Sequence, residues 1–255
     1  MNRVLLAVAA SMLATTALAA DLARAQADPT APVYVPYNWT GFYAGANAGY
    51  GVSSGHNVNL TEENTGGAPA FERYGKISPH GGLVGLQSGY SWQTGHLVLG
   101  LEGDVQWADI NDRTTGTLAN SGIGTDYVVS TKSQVDWFGT LRSRVGYAFD
   151  NILLYGTGGL AFGGVKSSQE FHCCGGGWTA NPDRNDTKVG YTLGAGVEYA
   201  LSEHWTAKLE YDYIDLGSKT LNATELNTGV PSTFSIHTKL HTDFHTIRLG
   251  VNYKF

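Results

Sequence analysis

The last segment of the chain, residues 247–255, constrains the fold more than any other part. Every second residue there is apolar or aromatic, and the residues between them are polar or small. The apolar and aromatic set is Ile247, Leu249, Val251, Tyr253 and Phe255. A period of two is typical of a β-strand with one apolar face. We therefore expect a closing strand that places an aromatic ring at its end.

The first residues have the pattern of a secretory signal peptide. The positive charge of Arg3 precedes an apolar or small run over residues 4–18, which ends in the small-residue motif around Ala19. Such a segment is removed on export, and we expect cleavage after Ala19 or Ala20, with Ala27 as an alternative site. The competing interpretation is an uncleaved anchor, but the run is shorter than the ~20 residues that a spanning helix needs.

Composition narrows the function classes of the exported chain. It contains 34 glycines, 14 tyrosines and 6 tryptophans, while charged residues make up only 15%. These amounts favour strands, tight turns and aromatic rings at a membrane interface. A net charge of −6 without a basic stripe argues against nucleic acid as a partner. We predict three regions: a signal peptide at 1–20, an extended lead-in at 21–38 and one β domain at 39–255.

Eight segments of the domain alternate between apolar and polar residues. They are 39–51, 78–92, 96–107, 135–149, 152–165, 189–201, 204–216 and 244–255. Most are longer than the ~5–6 residues usual for a soluble strand. Their lengths suit a tilted membrane strand of ~9–11 residues with a short extension beyond the bilayer.

The connections between these segments alternate strictly between short and long. Short turns are predicted at 93–95, 150–151 and 202–203, and long loops at 52–77, 108–134, 166–188 and 217–243. This asymmetry is typical of outer-membrane barrels, with short turns in the periplasm and long loops outside. The predicted fold is therefore all-β, an eight-stranded antiparallel up-and-down transmembrane β-barrel. An even strand number places both termini in the periplasm, and we expect the long segments to be mobile and exposed.

Charged residues fall on the strand face opposite the aliphatic and aromatic residues, and in a membrane barrel that face lines the lumen. The predicted lumenal set is Glu102, Asp104, Arg142, Arg144, Glu198, Lys208, Glu210, Asp212, Arg248 and Lys254. Equal numbers of acids and bases suggest a paired ion network, because an unpaired buried charge costs several kcal/mol. The alternative is an ion-lined pore, although side chains can fill an eight-stranded lumen. In the segment 152–165, apolar and polar residues do not alternate cleanly, so the sequence does not assign its inward and outward faces.

Histidines near the last strand are the main candidates for metal chemistry. His237, His241 and His245 lie there, with Asp243 between two of them. Residues four apart on one strand are ~13 Å apart, too far to share a metal ion. We interpret them as polar rim residues and keep a weak haem-iron or metal site as the alternative.

The two cysteines of the chain and the overall barrel pattern each allow a second interpretation. Cys173 and Cys174 are adjacent, and we interpret them as a loop feature, with a strained vicinal disulfide as one form, because a metal site with His172 would lack a fourth ligand. A soluble lipocalin-type barrel also has eight strands, but its apolar face points inward. Five tryptophans lie within or at the ends of the predicted strands, as a membrane-interface girdle requires. The tryptophans are Trp39, Trp92, Trp107, Trp137 and Trp205.

Several segments resemble an outer-membrane β-barrel family common in alphaproteobacteria, whose members are often labelled porin-family or outer-membrane immunogenic proteins. The similar segments are 37–51, 89–93, 154–161, 194–199 and 250–255. In the last of these, Gly250, Tyr253 and Phe255 resemble the C-terminal assembly signal of bacterial outer-membrane proteins. The resemblance covers residues 39–255 and implies an eight-stranded, OmpA/OmpX-like barrel at the cell surface, with no catalytic residues.

We therefore expect a structural, surface-exposed protein of the Gram-negative outer membrane, not an enzyme, with a filled lumen and no cofactor. The alternatives are a small porin for ions or solutes, or loop-mediated haem or metal binding. The expected partners are outer-membrane lipid and lipopolysaccharide and the barrel-assembly machinery. The sequence does not identify a surface partner.

Overall fold

The computed structural model describes residues 36–64, 70–118, 127–173, 176–180, 186–224 and 234–255. The strands are β1 Gly41–Val52, β2 His56–Asn64, β3 Ala70–Ile77, β4 His80–Thr94, β5 Leu97–Leu118, β6 Tyr127–Phe149, β7 Ile152–Cys173, β8 Gly176–Ala180, β9 Asp186–Ala200, β10 Trp205–Thr224 and β11 Phe234–Lys254. Within these ranges no helix is long and apolar enough to cross a membrane.

Eight of the strands form a closed antiparallel barrel. The wall runs in the order β1, β4, β5, β6, β7, β9, β10, β11, and each strand pairs with its neighbour. Pairing of β1 with β11, from Tyr43 opposite Lys254 to Val52 opposite His245, closes the barrel. Closure leaves the wall without a free edge, which is the condition for a sheet to span a lipid bilayer. The predicted eight-stranded up-and-down barrel is confirmed.

Side chains alternate between the lumen and the outer face along each wall strand. On β5, Glu102 and Asp104 are buried in the lumen, while Leu101 and Val105 point outward. The strand that the sequence left unassigned, β7, places Leu153 and Tyr155 inward and Leu154 and Leu160 outward. Apolar side chains thus cover the outside of the wall, as contact with lipid requires.

The tight turns all lie at one end of the barrel, together with the start of β1 and the end of β11. The turn between β6 and β7 consists of Asp150 and Asn151, and Asp150 has a left-handed backbone with φ of 51°. Two-residue hairpins need this conformation, and aspartate tolerates it better than most residues. We refer to this end as the turn end and to the opposite end as the extended end.

The prediction of long loops at the extended end is wrong for much of their described length. Strands β5, β6, β7, β10 and β11 continue well past the predicted boundaries, and β9 begins slightly earlier. The hairpin of β2 and β3 pairs with the extension of β11, and β8 pairs with the extension of β7. Threonine and valine recur there, and both are enriched in strands although threonine is polar. Once two neighbouring strands are in register, their pairing simply continues beyond the membrane.

Irregularities in register mark the level at which the wall becomes the extension. They occur at Trp107/Ile110 between β5 and β6, and at Val135/Trp137 between β6 and β7. A third lies between Asp215 and Ser218 where β10 pairs with β11. Extra residues in a strand bend it and increase its twist locally.

Some predictions fall outside the described residues. The signal peptide at 1–20, its cleavage sites and most of the lead-in at 21–38 are among them, as is Cys174. Cys173 is the last residue of β7 rather than part of a loop.

Candidate functional site

The centre of the lumen is a buried network of ion pairs, and Arg142 of β6 connects most of its acids. Its Nη2 lies 2.5 Å from Glu102 Oε1 and 3.0 Å from Asp104 Oδ2. Its Nη1 lies 3.0 Å from Glu210 Oε1 and 2.6 Å from Asp212 Oδ1. One guanidinium therefore links β5 to β10 across the lumen, where its fixed fork of donors suits two pairs of carboxylates.

Two further cations complete the central layer from β10 and β11. Arg248 Nη2 lies 2.6 Å from both Glu210 Oε1 and Asp212 Oδ2, and its Nη1 lies 3.3 Å from Asp104 Oδ1. Lys208 Nζ lies 3.2 Å from Glu102 Oε1. All of these side chains are buried, so each charge depends on its partners for the solvation that water would otherwise supply.

Arg144 carries the network toward the turn end. Its Nη2 lies 2.6 Å from Glu198 Oε2, and its guanidinium carbon lies 3.9 Å from the centre of the Tyr155 ring. Tyr43 accepts a hydrogen bond of 2.8 Å from Arg144 and donates one of 2.8 Å to Glu102. Tyr155 donates one of 2.6 Å to Glu210. The two tyrosines thus hold the acids and Arg144 in fixed positions.

The structure brings nine of the ten predicted lumenal residues into this one cluster, and Lys254 lies apart from it. The nine carry five acids, Glu102, Asp104, Glu198, Glu210 and Asp212, and four bases, Arg142, Arg144, Lys208 and Arg248. Lys254 instead donates to the carbonyl oxygen of Asn38, and its Nζ lies 4.2 Å from the centre of the Tyr37 ring. Its position at the very end of β11 explains the difference, because the network lies several residues deeper.

Inward-facing glycines make room for the long side chains. A Cβ at Gly89 would lie 2.5 Å from the Tyr43 hydroxyl oxygen, and a Cβ at Gly196 would lie 2.5 Å from that of Tyr155. The inward-facing glycines of β4 and β9 thus leave the space that the tyrosine side chains of the neighbouring strands β1 and β7 occupy. Sequence reasoning assigned neither tyrosine to the lumen. For Tyr43 a usable signal was that it shares a strand face with Gly45, Asn47 and Gly49.

Uncharged polar residues extend the network and were also missed from the sequence. Gln87 donates to Asn252 Oδ1 over 2.7 Å, and Asn252 donates to Glu198 Oε1 over 2.8 Å. Thr206 donates to the same oxygen of Glu198 over 2.5 Å. These contacts satisfy carboxylate lone pairs that the cations leave free.

Apolar clusters close the lumen on both sides of the ion network. Toward the extended end the cluster consists of Leu83, Ile110, Val135, Phe138, Ala161, Val165, Ile214, Leu216 and Phe244. Toward the turn end it consists of Trp39, Val98, Ala148, Leu153, Tyr155 and Ala200, with Tyr37 packed against it. The described lumen is therefore filled by three successive layers of side chains, apolar, ionic and apolar.

The cluster at the turn end corrects the interpretation of Trp39. This residue is buried, and its indole N–H donates to the carbonyl oxygen of Asp150 over 3.4 Å, so it caps the lumen and does not belong to a lipid-facing girdle. Its backbone N–H donates to Gln93 Oε1 over 2.7 Å. Burial, and to a lesser degree the Glu198 carboxylate, raise the pKa of Tyr37 to about 12. Trp92, Trp107 and Trp205 do lie on the outer face.

The predicted assembly residues lie at the seam between the first and last strands. Phe255 donates its backbone N–H to Phe42 over 3.0 Å, and the two rings are 5.5 Å apart. Tyr253 packs against Trp205 with ring centres 5.1 Å apart. Gly250 faces the lumen beside Gln87 and Lys208. These aromatic rings point outward at the turn end.

The histidines of β11 do not converge. His241 contacts Ser218 and Asp215 near the lumen mouth, whereas His245 points outward and contacts Tyr211. The side chain of His237 is outside the described set. Among described residues, no three histidine, cysteine, aspartate or glutamate side chains are grouped so that they could hold a metal ion.

A closed barrel with an apolar outer surface and a charged, filled interior defines an outer-membrane β-barrel protein. The chain belongs to the family described as "Outer membrane protein beta-barrel domain", whose model matches residues 5–255. The resemblance inferred from the strand motifs is therefore confirmed.

Curated relatives agree with this assignment. The 31 kDa outer-membrane immunogenic protein of Brucella melitensis biotype 1 is 39% identical, over 100% of both chains. The 22 kDa outer membrane protein of Rhizobium leguminosarum bv. viciae is 32% identical, over 88% of this chain and 82% of that protein. Among solved structures, the outer membrane protein OprG from Pseudomonas aeruginosa is 14% identical with a TM-score of 0.48, and the match covers 86% of this chain and 98% of that one.

Proposed function

We propose that this outer-membrane protein is a structural, non-enzymatic barrel with a closed lumen, which presents a rigid β-sheet extension at the cell surface. The observation that carries the proposal is the succession of three buried layers inside the barrel. In the middle layer, the opposite charges of the described residues pair directly, and these residues form no column of unpaired charge along the axis. A porin needs a continuous aqueous path, and an eight-stranded barrel is narrow enough for side chains to fill.

The purified protein is expected to show no stable conductance in planar lipid bilayers. Ions would have to displace both apolar clusters and separate the buried ion pairs, each of which is costly in a medium of low dielectric constant. Single-channel recording over a range of voltages measures this directly, with a known porin reconstituted in the same lipid as the positive control. Reproducible long-lived channels would contradict the closed lumen and favour the small-porin alternative.

The extension supports the second part of the proposal. Arg142 and its partners connect β5, β6 and β10 across the lumen, and the wall strands β5, β6, β7, β10 and β11 continue directly into the extension. Recognition commonly resides on segments held above a rigid scaffold. We therefore propose that surface partners contact this extension.

We further propose that both termini are periplasmic. The proposed partners of the wall are outer-membrane lipid and the barrel-assembly machinery. Haem or metal binding has no supporting cluster among the described residues.

Orientation can be tested by labelling single cysteines in a background that lacks Cys173 and Cys174. Lys132→Cys lies in the β6 extension and is exposed, whereas Asn151→Cys lies in a tight turn at the other end. A membrane-impermeant maleimide added to intact cells is expected to label the first and to reach the second only after permeabilisation. The reverse pattern would mean that the extension faces the periplasm, and the proposed surface role would then be abandoned.

A further inference from the structure

The outward-facing aromatic belt at the extended end is chemically asymmetric. On β10, β11, β1 and β4 a single row of paired residues runs from Tyr213 through His245 and Val52 to His80. The belt on the other side of the barrel, at Trp107, Trp137, Phe162 and Val189, has no hydroxyl group or imidazole. The row from Tyr213 to His80 therefore offers hydrogen-bonding hydroxyl and imidazole groups that these four residues lack.

The hydrogen-bonding side is built around His245. Its Nδ1 lies 2.7 Å from the hydroxyl oxygen of Tyr211, and its Nε2 lies 2.9 Å from Ser54 Oγ. The imidazole also stacks on the Tyr211 ring, with centres 5.8 Å apart and an interplanar angle of 23°. Next to it, Tyr50 and His80 lie with ring centres 6.4 Å apart. These groups all point away from the lumen, at the edge of the lipid-facing apolar surface that is nearer the extended end.

The contacts of His245 leave a hydrogen-bond donor available to an outside acceptor. A neutral imidazole has one N–H and one lone pair, so it donates to one hydroxyl and accepts from the other. The hydroxyl that accepts, whether Tyr211 or Ser54, keeps its own O–H free. If the ring is protonated, both hydroxyls accept from it and both O–H groups are free. The arrangement therefore presents at least one fixed donor in every protonation state.

Lys76 adds a cation near the loop that carries Ser54. Its side chain lies against Gly55, the residue after Ser54, because a Cβ at Gly55 would lie 2.4 Å from Lys76 Cε and 3.1 Å from its Nζ. Gly55 also has a φ of 77°, which favours glycine. His80 lies opposite Asn111, and the two acids on either side of Asn111 in the sequence accept hydrogen bonds from within the protein: Asp109 from Asn111 over 2.7 Å and Asp112 from the Ser78 N–H over 2.6 Å.

We propose that the patch formed by Tyr50, Ser54, Lys76, His80, Tyr211 and His245 binds the phosphorylated sugar headgroup of an outer-leaflet glycolipid. The patch is continuous with the lipid-facing band and lies at the depth of the headgroups, where tyrosine rings commonly sit. A phosphate oxygen accepts from the free hydroxyl and from the lysine ammonium, and the tyrosine faces contact the sugar rings. The assignment to the outer leaflet rests on the proposed surface orientation of the extension.

The test measures binding of a bisphosphorylated, acylated glucosamine disaccharide to the purified full-length protein in detergent, by native mass spectrometry. The variant Ser54→Ala/Lys76→Met/Tyr211→Phe removes the cation and both hydroxyls but keeps every ring. It is expected to bind at least about tenfold more weakly, because hydrogen bonds to charged groups are involved. The wild-type protein is expected to prefer this lipid over its dephosphorylated form by a similar factor.

His204→Phe is the matched control, because His204 also stacks on a tyrosine, Tyr253, but at the turn end of the barrel. It is expected to leave the affinity unchanged.

If the triple variant does not fold, as judged by gel mobility before and after heating, Lys76→Met alone supplies the measurement, since Lys76 lies outside the barrel wall. Equal affinity of folded variant and wild type, or equal binding of both lipids, would overturn the proposal. These measurements do not depend on orientation, so an inverted cysteine-labelling result would refute the surface role separately.

Discussion

Replacing Arg142 with methionine is expected to lower the free energy of unfolding by about 3 kcal/mol or more, because loss of one partner leaves buried charges without compensation. Four carboxylates contact this single guanidinium, at distances of 2.5 to 3.0 Å. Arg248 and Lys208 already contact the same acids and share Glu210 Oε1 and Glu102 Oε1 with Arg142, so without Arg142 the five acids of the cluster face only three bases, Arg144, Lys208 and Arg248. Unfolding in urea, followed on the protein refolded into lipid vesicles, measures the change.

An exposed ion pair of the same protein supplies the control. Lys166 lies 2.7 Å from Asp136 at the extended end, where 53% of the lysine side chain is exposed. Lys166→Met is expected to cost less than about 1 kcal/mol, as is usual for pairs in contact with water. In addition, Arg142→Met combined with Glu210→Gln is expected to be more stable than Arg142→Met alone, because one uncompensated charge is removed. Equal effects of Arg142→Met and Lys166→Met would contradict a tightly coupled network.

Deleting Phe255 is expected to reduce the amount of assembled barrel in cells severalfold while changing the stability of the refolded protein little. Phe255 is 70% exposed, so the loss of buried apolar area corresponds to only about 1 kcal/mol. A large effect on assembly would therefore come from recognition of the terminal ring by the assembly machinery. Quantifying the heat-modifiable folded form in outer-membrane fractions measures assembly, and urea unfolding of refolded protein measures stability.

Phe255→Trp keeps an aromatic ring at the terminus and is expected to assemble close to the wild-type level. Phe255→Ala is expected to behave like the deletion, because it retains the chain length but not the ring. Normal assembly of both the deletion and Phe255→Ala would contradict the assignment of Gly250, Tyr253 and Phe255 as an assembly signal. A large loss of stability in the refolded deletion protein would instead make Phe255 a structural residue of the seam.

The alternation of residues along the chain was sufficient to predict the barrel and the face that each charge occupies. In β10, for example, Lys208, Glu210 and Asp212 point inward because side chains two apart on a strand share a face. The short turn at Asp150 and Asn151 likewise followed from local chemistry. These features depend on neighbours in sequence. The extension was missed because its threonine-rich and serine-rich strands have no apolar face and acquire their structure by continuing the pairing of the wall.

By itself, the sequence determined the number of wall strands, the membrane-facing surface and the inward-facing charges of the wall, since each follows from a period of two and from turn residues. Only the tertiary structure decided which charges meet. Arg142 on β6 reaches Asp212 on β10, a strand on another side of the barrel. Lys254 lies on the inward face of β11 like Arg248, but it is too near the turn end to join the network. Closure of the barrel also decided that Trp39 caps the lumen and that Tyr211, His245 and Ser54 come together on the outer face. Contacts of this kind depend on the depth of each residue in the barrel and on which strands lie opposite, and alternation along a single strand carries no information about either.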